Sequence, residues 1–156
     1  MGKYPSSAKK FSMKINGIFY VLLFCAIFSC SKKNSKVQYT YYLNGNIKTC
    51  SSLKDGQLNG QTQWFYEDGT LKQVVMFKNN KENGNAYYFY KSGAMESFRH
   101  WNNSQMNGYV RDYYDDTVGI IKAVMLFNDK GHVIYKKHFD SIGRTTKVEG
   151  ERPISP

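Results

Sequence analysis

The side chains that could carry out chemistry in this chain are three cysteines, three histidines and one acidic pair. His100, His132 and His138 have no cysteine or carboxylate at the spacing of metal ligands. Asp115 and Asp116 stand side by side in a turn, where aspartates bond to the backbone more often than they act as an acid–base couple. No serine lies in a Gly-X-Ser-X-Gly setting, and no glycine-rich loop precedes a helical pattern. The sequence therefore predicts no catalytic residue, no metal ligand, no cofactor and no enzymatic activity.

Cys30 differs from the other two cysteines because it closes a short apolar run. The run spans residues 18–28, follows Lys14 and precedes the polar stretch 31–36. A helix that crosses a membrane needs about 20 apolar residues, so this run fits a removable signal peptide better. We therefore predict that residues 1–29 direct export and are cleaved. A true start at Met13 would give the more compact signal.

Residues Ile27-Phe28-Ser29-Cys30 resemble the lipobox of bacterial lipoproteins, with Phe28 where a small residue is usual. The resemblance implies a diacylglyceryl thioether on Cys30, cleavage before it and acylation of the new amino terminus. With more than one acyl chain, such an anchor holds a protein stably on a membrane. The implied location is the bacterial cell envelope, either facing the periplasm or at the outer membrane. An ordinary signal peptide and a weak transmembrane anchor are the alternatives.

The net charge of the mature chain limits the classes of partner that it could bind. Loss of residues 1–29 removes four lysines and no acidic residue, which lowers the net charge from +10 to +6. A basic surface favours acidic partners, and export excludes nucleic acid. The lysines recur with the repeat described below and form no block, so we interpret them as a solvated surface that protects strand edges.

After cleavage of the signal and lipidation of Cys30, Cys50 is left as the sole free thiol, and we interpret it as a small apolar residue.

A 24-residue repeat organises the rest of the chain. One column is all tyrosine, at Tyr42, Tyr66, Tyr90 and Tyr114, and the column before it is all aromatic, at Tyr41, Phe65, Phe89 and Tyr113. Glycines keep the same step at Gly45, Gly69 and Gly93 and again at Gly60, Gly84 and Gly108. Asn-Gly and Asp-Gly pairs supply the positive φ of tight hairpin turns, and aromatic and β-branched residues suit the strands between them.

These patterns predict an all-β fold, an antiparallel β-meander of 24-residue hairpin repeats that forms an elongated sheet after a cleaved N-terminal signal. We expect nine or ten strands within residues 38–149. Residues 30–37 would form a lipidated tether, and residues 150–156 a flexible tail.

The units at residues 41–48, 54–60 and 64–72 resemble the variant MORN repeat of the YwqK-family antitoxins. The resemblance covers residues 38–131 and is weaker to residue 149. It implies a repeat fold and, as one function, neutralisation of a partner toxin. The fourth unit departs from the pattern, with a two-residue insertion before Gly119 and with Asp112 where Trp64 and Tyr88 stand. Terminal repeats often act as caps, and this unit fits that role.

Alternation along the strands predicts which side of the sheet binds a partner. Positions 62, 64 and 66 form the predicted core face, whereas the opposite face of these strands is polar except for one aromatic column. The candidate partner-binding residues are Tyr41, Phe65, Phe89 and Tyr113, with Tyr87 beside them. Such rings could anchor a protein or stack on a glycan, or they could pack along their own sheet.

A second apolar column consists of Cys50, Val74, Phe98 and Val124. It has the opposite parity to Ile47 in the same strand, which predicts a β-bulge or a sheet buried on both sides.

The sequence thus favours a membrane-anchored, non-enzymatic envelope lipoprotein whose β-repeat surface binds another macromolecule. Its contacts would be the membrane, through the lipid on Cys30, and a protein partner. One alternative is an immunity or antitoxin protein that neutralises a partner toxin. A further alternative is a module that binds cell-wall glycan.

Overall fold

Stretches of aromatic and β-branched residues form β-strands, and the tight turns between them contain glycine or, as at Asn79 and Asn80, another residue with positive φ. The computed structural model describes residues 35–115 and 119–151, and the signal segment and Cys30 lie outside them. The strands are β1 (Ser35–Tyr41), β2 (Ile47–Lys54), β3 (Gln57–Phe65), β4 (Leu71–Lys78), β5 (Lys81–Phe89), β6 (Met95–Asn102), β7 (Gln105–Met106), β8 (Gly108–Tyr113), β9 (Ile121–Phe127), β10 (Val133–Phe139) and β11 (Thr145–Gly150).

The strands form one open antiparallel sheet in which, apart from the short strand β7, neighbours in the chain are also neighbours in the sheet. The order is β1-β2-β3-β4-β5-β6-β8-β9-β10-β11, and β7 pairs only with β6. The predicted all-β meander is therefore confirmed. The described residues contain eleven strands rather than nine or ten, because one strand is interrupted at Asn107. The Asn107 N–H bonds to the His100 carbonyl at 3.0 Å. Strand β1 begins at Ser35 and β11 ends at Gly150, slightly beyond the predicted repeat boundaries.

A β-bulge recurs next to the aromatic column in each of the five hairpins, as the parity conflict predicted. The register shifts fall between Thr40 and Tyr41, Trp64 and Phe65, Tyr88 and Phe89, Asp112 and Tyr113, and His138 and Phe139. Because of these shifts, Cys50 pairs directly with Tyr39, and Tyr87 pairs with both Val74 and Phe98. The face that carries the aromatic column is therefore more apolar than its first strands alone predicted.

The most buried side chains lie in a band along the opposite face of the sheet. They are Thr62, Val75, Ala86, Ser97, Val110 and Ala123. Cross-strand pairing joins Thr62 to Val75 and Val75 to Ala86, which places these three in one row. Thr62, Ala86 and Val110 also form a column of the 24-residue repeat, so this face is the core face that alternation predicted. Within the described ranges every strand belongs to this single sheet, so larger neighbouring side chains rather than a second layer cover these small residues.

The tyrosine column links each hairpin to the next. Each phenol hydroxyl donates to the backbone carbonyl of the aromatic residue one repeat further on, at Phe65, Phe89, Tyr113 and Phe139. The four oxygen–oxygen distances are 2.7, 2.9, 2.9 and 2.8 Å in that order. We call this series, donated by Tyr42, Tyr66, Tyr90 and Tyr114, the tyrosine ladder. Because it bonds to the backbone of the aromatic column, it also fixes the position of the predicted binding residues.

Candidate functional site

The predicted binding residues form a continuous apolar strip near one end of the strands. At the first four bulges an aromatic residue pairs with an aliphatic one in the next strand: Tyr41 with Ile47, Phe65 with Leu71, Phe89 with Met95, and Tyr113 with Ile121. At the fifth bulge Phe139 pairs with Thr145. We call these eight residues, together with Phe139, the aromatic strip. The strip therefore crosses all five hairpins.

Phe139 was not among the predicted site residues. It occupies the fifth position of the aromatic column, because it accepts the Tyr114 hydrogen bond as Phe65 accepts that of Tyr42. The spacing from Tyr113 is 26 residues rather than 24, since the insertion before Gly119 adds two. Allowing for that insertion would have found it from the sequence.

The side chains of the aromatic strip are partly exposed. Tyr41, on the edge strand β1, is 60% exposed, and Ile47 beside it is 38% exposed. Phe65, Phe89 and Tyr113 are each half-buried. Part of the surface of each ring therefore packs on the sheet, and the rest remains accessible.

A second row beside the strip contains Tyr87. Its ring lies 5.3 Å from that of Phe98, tilted by 52°, an aromatic contact that fixes both rings. At the edge of the sheet Tyr39 pairs with Cys50, and hydrogen bonding to the Cys50 thiol raises the pKa of Tyr39. Cys50 is free and half-buried rather than fully buried. Tyr87 thus contributes to the same face as the strip, and Cys50 fills a gap in the row.

The opposite face carries a polar pocket that the sequence did not predict. Ser97, Asp112 and Ala123 line its floor, and charged side chains from β6, β9 and β10 surround it. Its volume is about 250 Å³. The one signal in the sequence was Asp112, which replaces the aromatic residues at the equivalent positions Trp64 and Tyr88.

Two of the three histidines make local contacts of their own. His100 Nδ1 lies 3.0 Å from the Asn85 amide oxygen, and the His132 backbone N–H bonds to the Asn128 side chain in a turn. The third, His138, lines the polar pocket. In residues 35–115 and 119–151 no group of three or more His, Cys, Asp or Glu side chains is placed to hold a metal ion.

Of the acidic pair, Asp115 accepts a hydrogen bond from the Ser92 hydroxyl, and Asp116 lies outside the described residues. Cys30, the predicted lipid attachment site, is likewise outside them. Within the described part of the chain, no helix is both long and apolar enough to cross a bilayer.

Comparisons with known proteins identify no family. No protein-family model matches the chain, and no curated protein matches it. Seven solved chains match its structure. One is the crystal structure of TarM, with 11% sequence identity and a TM-score of 0.39 over 88% of this chain and 22% of that protein. The chain thus spans less than a quarter of TarM, and a similarity of this extent supports no argument about function.

Proposed function

We propose that this chain is a lipid-anchored, non-enzymatic protein of the bacterial cell envelope that binds another protein through the aromatic strip. The observation that carries the proposal is the continuity of the strip across five hairpins, with rings that are only half-buried. A partner that covers these rings would remove apolar surface from water, and aromatic residues dominate the binding energy of many interfaces.

The composition of the strip favours a protein over a glycan as the partner. Between successive rings lie the aliphatic side chains Ile47, Leu71, Met95 and Ile121. An apolar surface with aromatic anchors and methionine is typical of the centre of a protein interface. A glycan needs polar groups beside the ring on which it stacks, and the strip itself offers only the Tyr41 and Tyr113 hydroxyls.

The resemblance to the variant MORN repeat suggests a toxin as one possible partner. Neutralisation would then consist of covering the toxin surface at the membrane, which requires no chemistry from this chain. A toxin encoded by a neighbouring gene, bound by the purified protein through the strip, would support this second candidate function.

The double variant Phe65→Ala/Phe89→Ala should abolish partner binding while the sheet still folds. Truncating a fully buried Phe costs about 3–5 kcal/mol, and these half-buried rings should cost less. We would measure binding as the recovery of one cross-linked partner with the tagged protein from its own cells, quantified by mass spectrometry. We expect recovery to fall at least tenfold.

The matched control for that experiment is Trp64→Ala/Tyr88→Ala. These two aromatic residues precede Phe65 and Phe89 in the same strands, are also half-buried, and point to the opposite face. The control should lose comparable thermal stability and keep the partner. Equal loss of the partner in both double variants, or in neither, would contradict binding through the strip.

Replacing Cys30 with serine should abolish acyl labelling and release the protein from the membrane, because the thioether needs a thiol. The measurement is palmitate labelling in cells combined with membrane fractionation. Cys25→Ser and Cys50→Ser are the controls, and both should retain label and membrane association. Retention of unlabelled Cys30→Ser protein in the membrane would eliminate the lipid anchor.

A further inference from the structure

The polar pocket exists because three small side chains follow one another in adjacent strands. Ser97 in β6 pairs with Asp112 in β8, and Asp112 pairs with Ala123 in β9. Earlier in the same cross-strand row stand Trp64 and Tyr88, at the positions that correspond to Asp112 in the repeat. The loss of an aromatic residue in the fourth repeat thus opens a cavity of about 250 Å³.

The floor of the pocket is fixed by hydrogen bonds. Ser97, only 1% exposed, donates its hydroxyl proton to Asp112 Oδ1 at 2.8 Å. Arg99 Nε donates to the Ser97 oxygen at 3.2 Å, and the Arg99 guanidinium lies 4.5 Å from the centre of the Tyr88 ring. These contacts hold the Asp112 carboxylate and the Arg99 cation in place before any ligand arrives.

Cations exceed anions around the pocket. Arg99, Lys122 and Lys136 line it together with His138, against the carboxylates of Glu96 and Asp112. In the described part of the chain, none of these side chains forms a salt bridge. Glu149 lies across from Lys136 in the next strand, but it is itself paired with Lys147. An excess of cations around one cavity favours a ligand with net negative charge.

The carboxylates add a second requirement for the ligand. A carboxylate can only accept hydrogen bonds, so a ligand that contacts Asp112 or Glu96 must also carry donors. A neutral zwitterion would supply a donor but would leave the net positive charge of the pocket unbalanced. An anion that also bears hydroxyl groups satisfies both the cations and the carboxylates.

We propose that this pocket binds a monosaccharide-sized, hydroxyl-bearing anion, such as a sugar acid or a sugar phosphate. The size follows from the volume, which is below the 300–1,000 Å³ typical of sites for drug-sized ligands. The site lies on the opposite face from the aromatic strip, so it is independent of the proposed protein interface.

Calorimetric titration of the purified full-length protein tests the ligand class. The probes are glucuronate, glucose 6-phosphate, glucose, alanine and inorganic phosphate. Glucuronate, glucose 6-phosphate or both should bind at least tenfold more tightly than the other three, and the tighter of the two shows whether the anion is a carboxylate or a phosphate. Equal binding of glucose, alanine or inorganic phosphate, or no binding of either sugar anion, would overturn the proposal.

A matched pair of lysine variants tests the site. Lys122 lies 5.8 Å from the centre of the Tyr114 ring, and Lys72 lies 5.4 Å from the centre of the Tyr66 ring two repeats earlier. Substitution of either lysine by glutamine removes a cation–π contact of the same kind, but only Lys122 lines the pocket. Lys122→Gln should weaken binding of the sugar anion at least fivefold, and Lys72→Gln less than twofold. Equal effects would overturn the assignment of the site.

Refilling the cavity provides a second test. Asp112→Tyr restores the aromatic residue of the preceding repeats, so it should fold and yet abolish binding of the sugar anion. Undiminished binding by a folded Asp112→Tyr variant would place the ligand elsewhere and overturn the proposal. If this variant does not fold, the lysine pair decides.

Discussion

Replacing Gly84 with alanine should lower the free energy of unfolding by about 2–4 kcal/mol, since two separate costs add. The backbone at Gly84 has φ +108°, a conformation that residues with a Cβ rarely adopt. A Cβ built there would also lie 3.3 Å from the Cβ of Met76, tighter than ordinary van der Waals contact. Met76 lies opposite the extra residues 83–85 of the bulge in β5 and pairs with Gln61 on its other side, so it is held in place. Urea denaturation monitored by circular dichroism measures the change.

Gly93→Ala is the control that separates the two costs. Gly93 has φ +89°, but no atom lies within 4 Å of a Cβ built there. It should therefore lose only the backbone term, about 1–2 kcal/mol. If the two variants are equally destabilised, the contact with Met76 contributes nothing and the bulge is not the reason for glycine at position 84.

The hairpin repeat could be read from the sequence because each turn and strand repeats its own chemistry. Glycines such as Gly69 and Gly93 recur where the backbone needs positive φ, and Tyr66 and Tyr90 recur where a hydroxyl must reach the next hairpin. The bulges followed from a parity conflict between two apolar columns. The bulges could be predicted because the columns that begin at Ile47 and at Cys50 are each apolar in several repeats, so neither column could be dismissed as chance.

The exposure of the strip could not be predicted from alternation, which assigns Phe65 and Phe89 to a face but does not say whether another layer covers it. Partial exposure was expected only because a single-layer repeat sheet has too little second layer to cover every ring. The pocket was missed for a related reason, because a cavity arises where side chains are small and becomes visible only when neighbouring strands are in register. Ser97 and Asp112 are 15 residues apart in sequence, and only the pairing of β6 with β8 brings them together.

The tyrosine ladder should account for much of the coupling between hairpins. Removing its three later hydroxyls in Tyr66→Phe/Tyr90→Phe/Tyr114→Phe leaves three part-buried carbonyls without that donor. Each loss should cost about 1–2 kcal/mol, or about 3–6 kcal/mol in total, a large fraction of the stability of a small domain. Thermal and urea denaturation of the triple variant measure the loss. Tyr109→Phe is the control, because Tyr109 is exposed and its hydroxyl has no hydrogen-bond partner within the described residues. It should change the free energy of unfolding by less than about 0.5 kcal/mol.

The pH dependence of the single variant Tyr66→Phe tests whether the proton of the hydroxyl carries the stabilisation. Burial raises the pKa of Tyr66 above its usual 10.0, so the phenol stays protonated in the folded state and can donate to the Phe89 carbonyl. Stability from this group should be complete below pH 10.0 and should fall as the pH rises through the folded-state pKa, because the unfolded chain loses its proton first. Tyr66→Phe should therefore be less stable than the wild type at neutral pH but lose less stability at high pH. If the deficit of Tyr66→Phe stays constant up to the alkaline limit, the stabilisation does not depend on the Tyr66 proton, and the hydrogen bond to the Phe89 carbonyl does not join the hairpins.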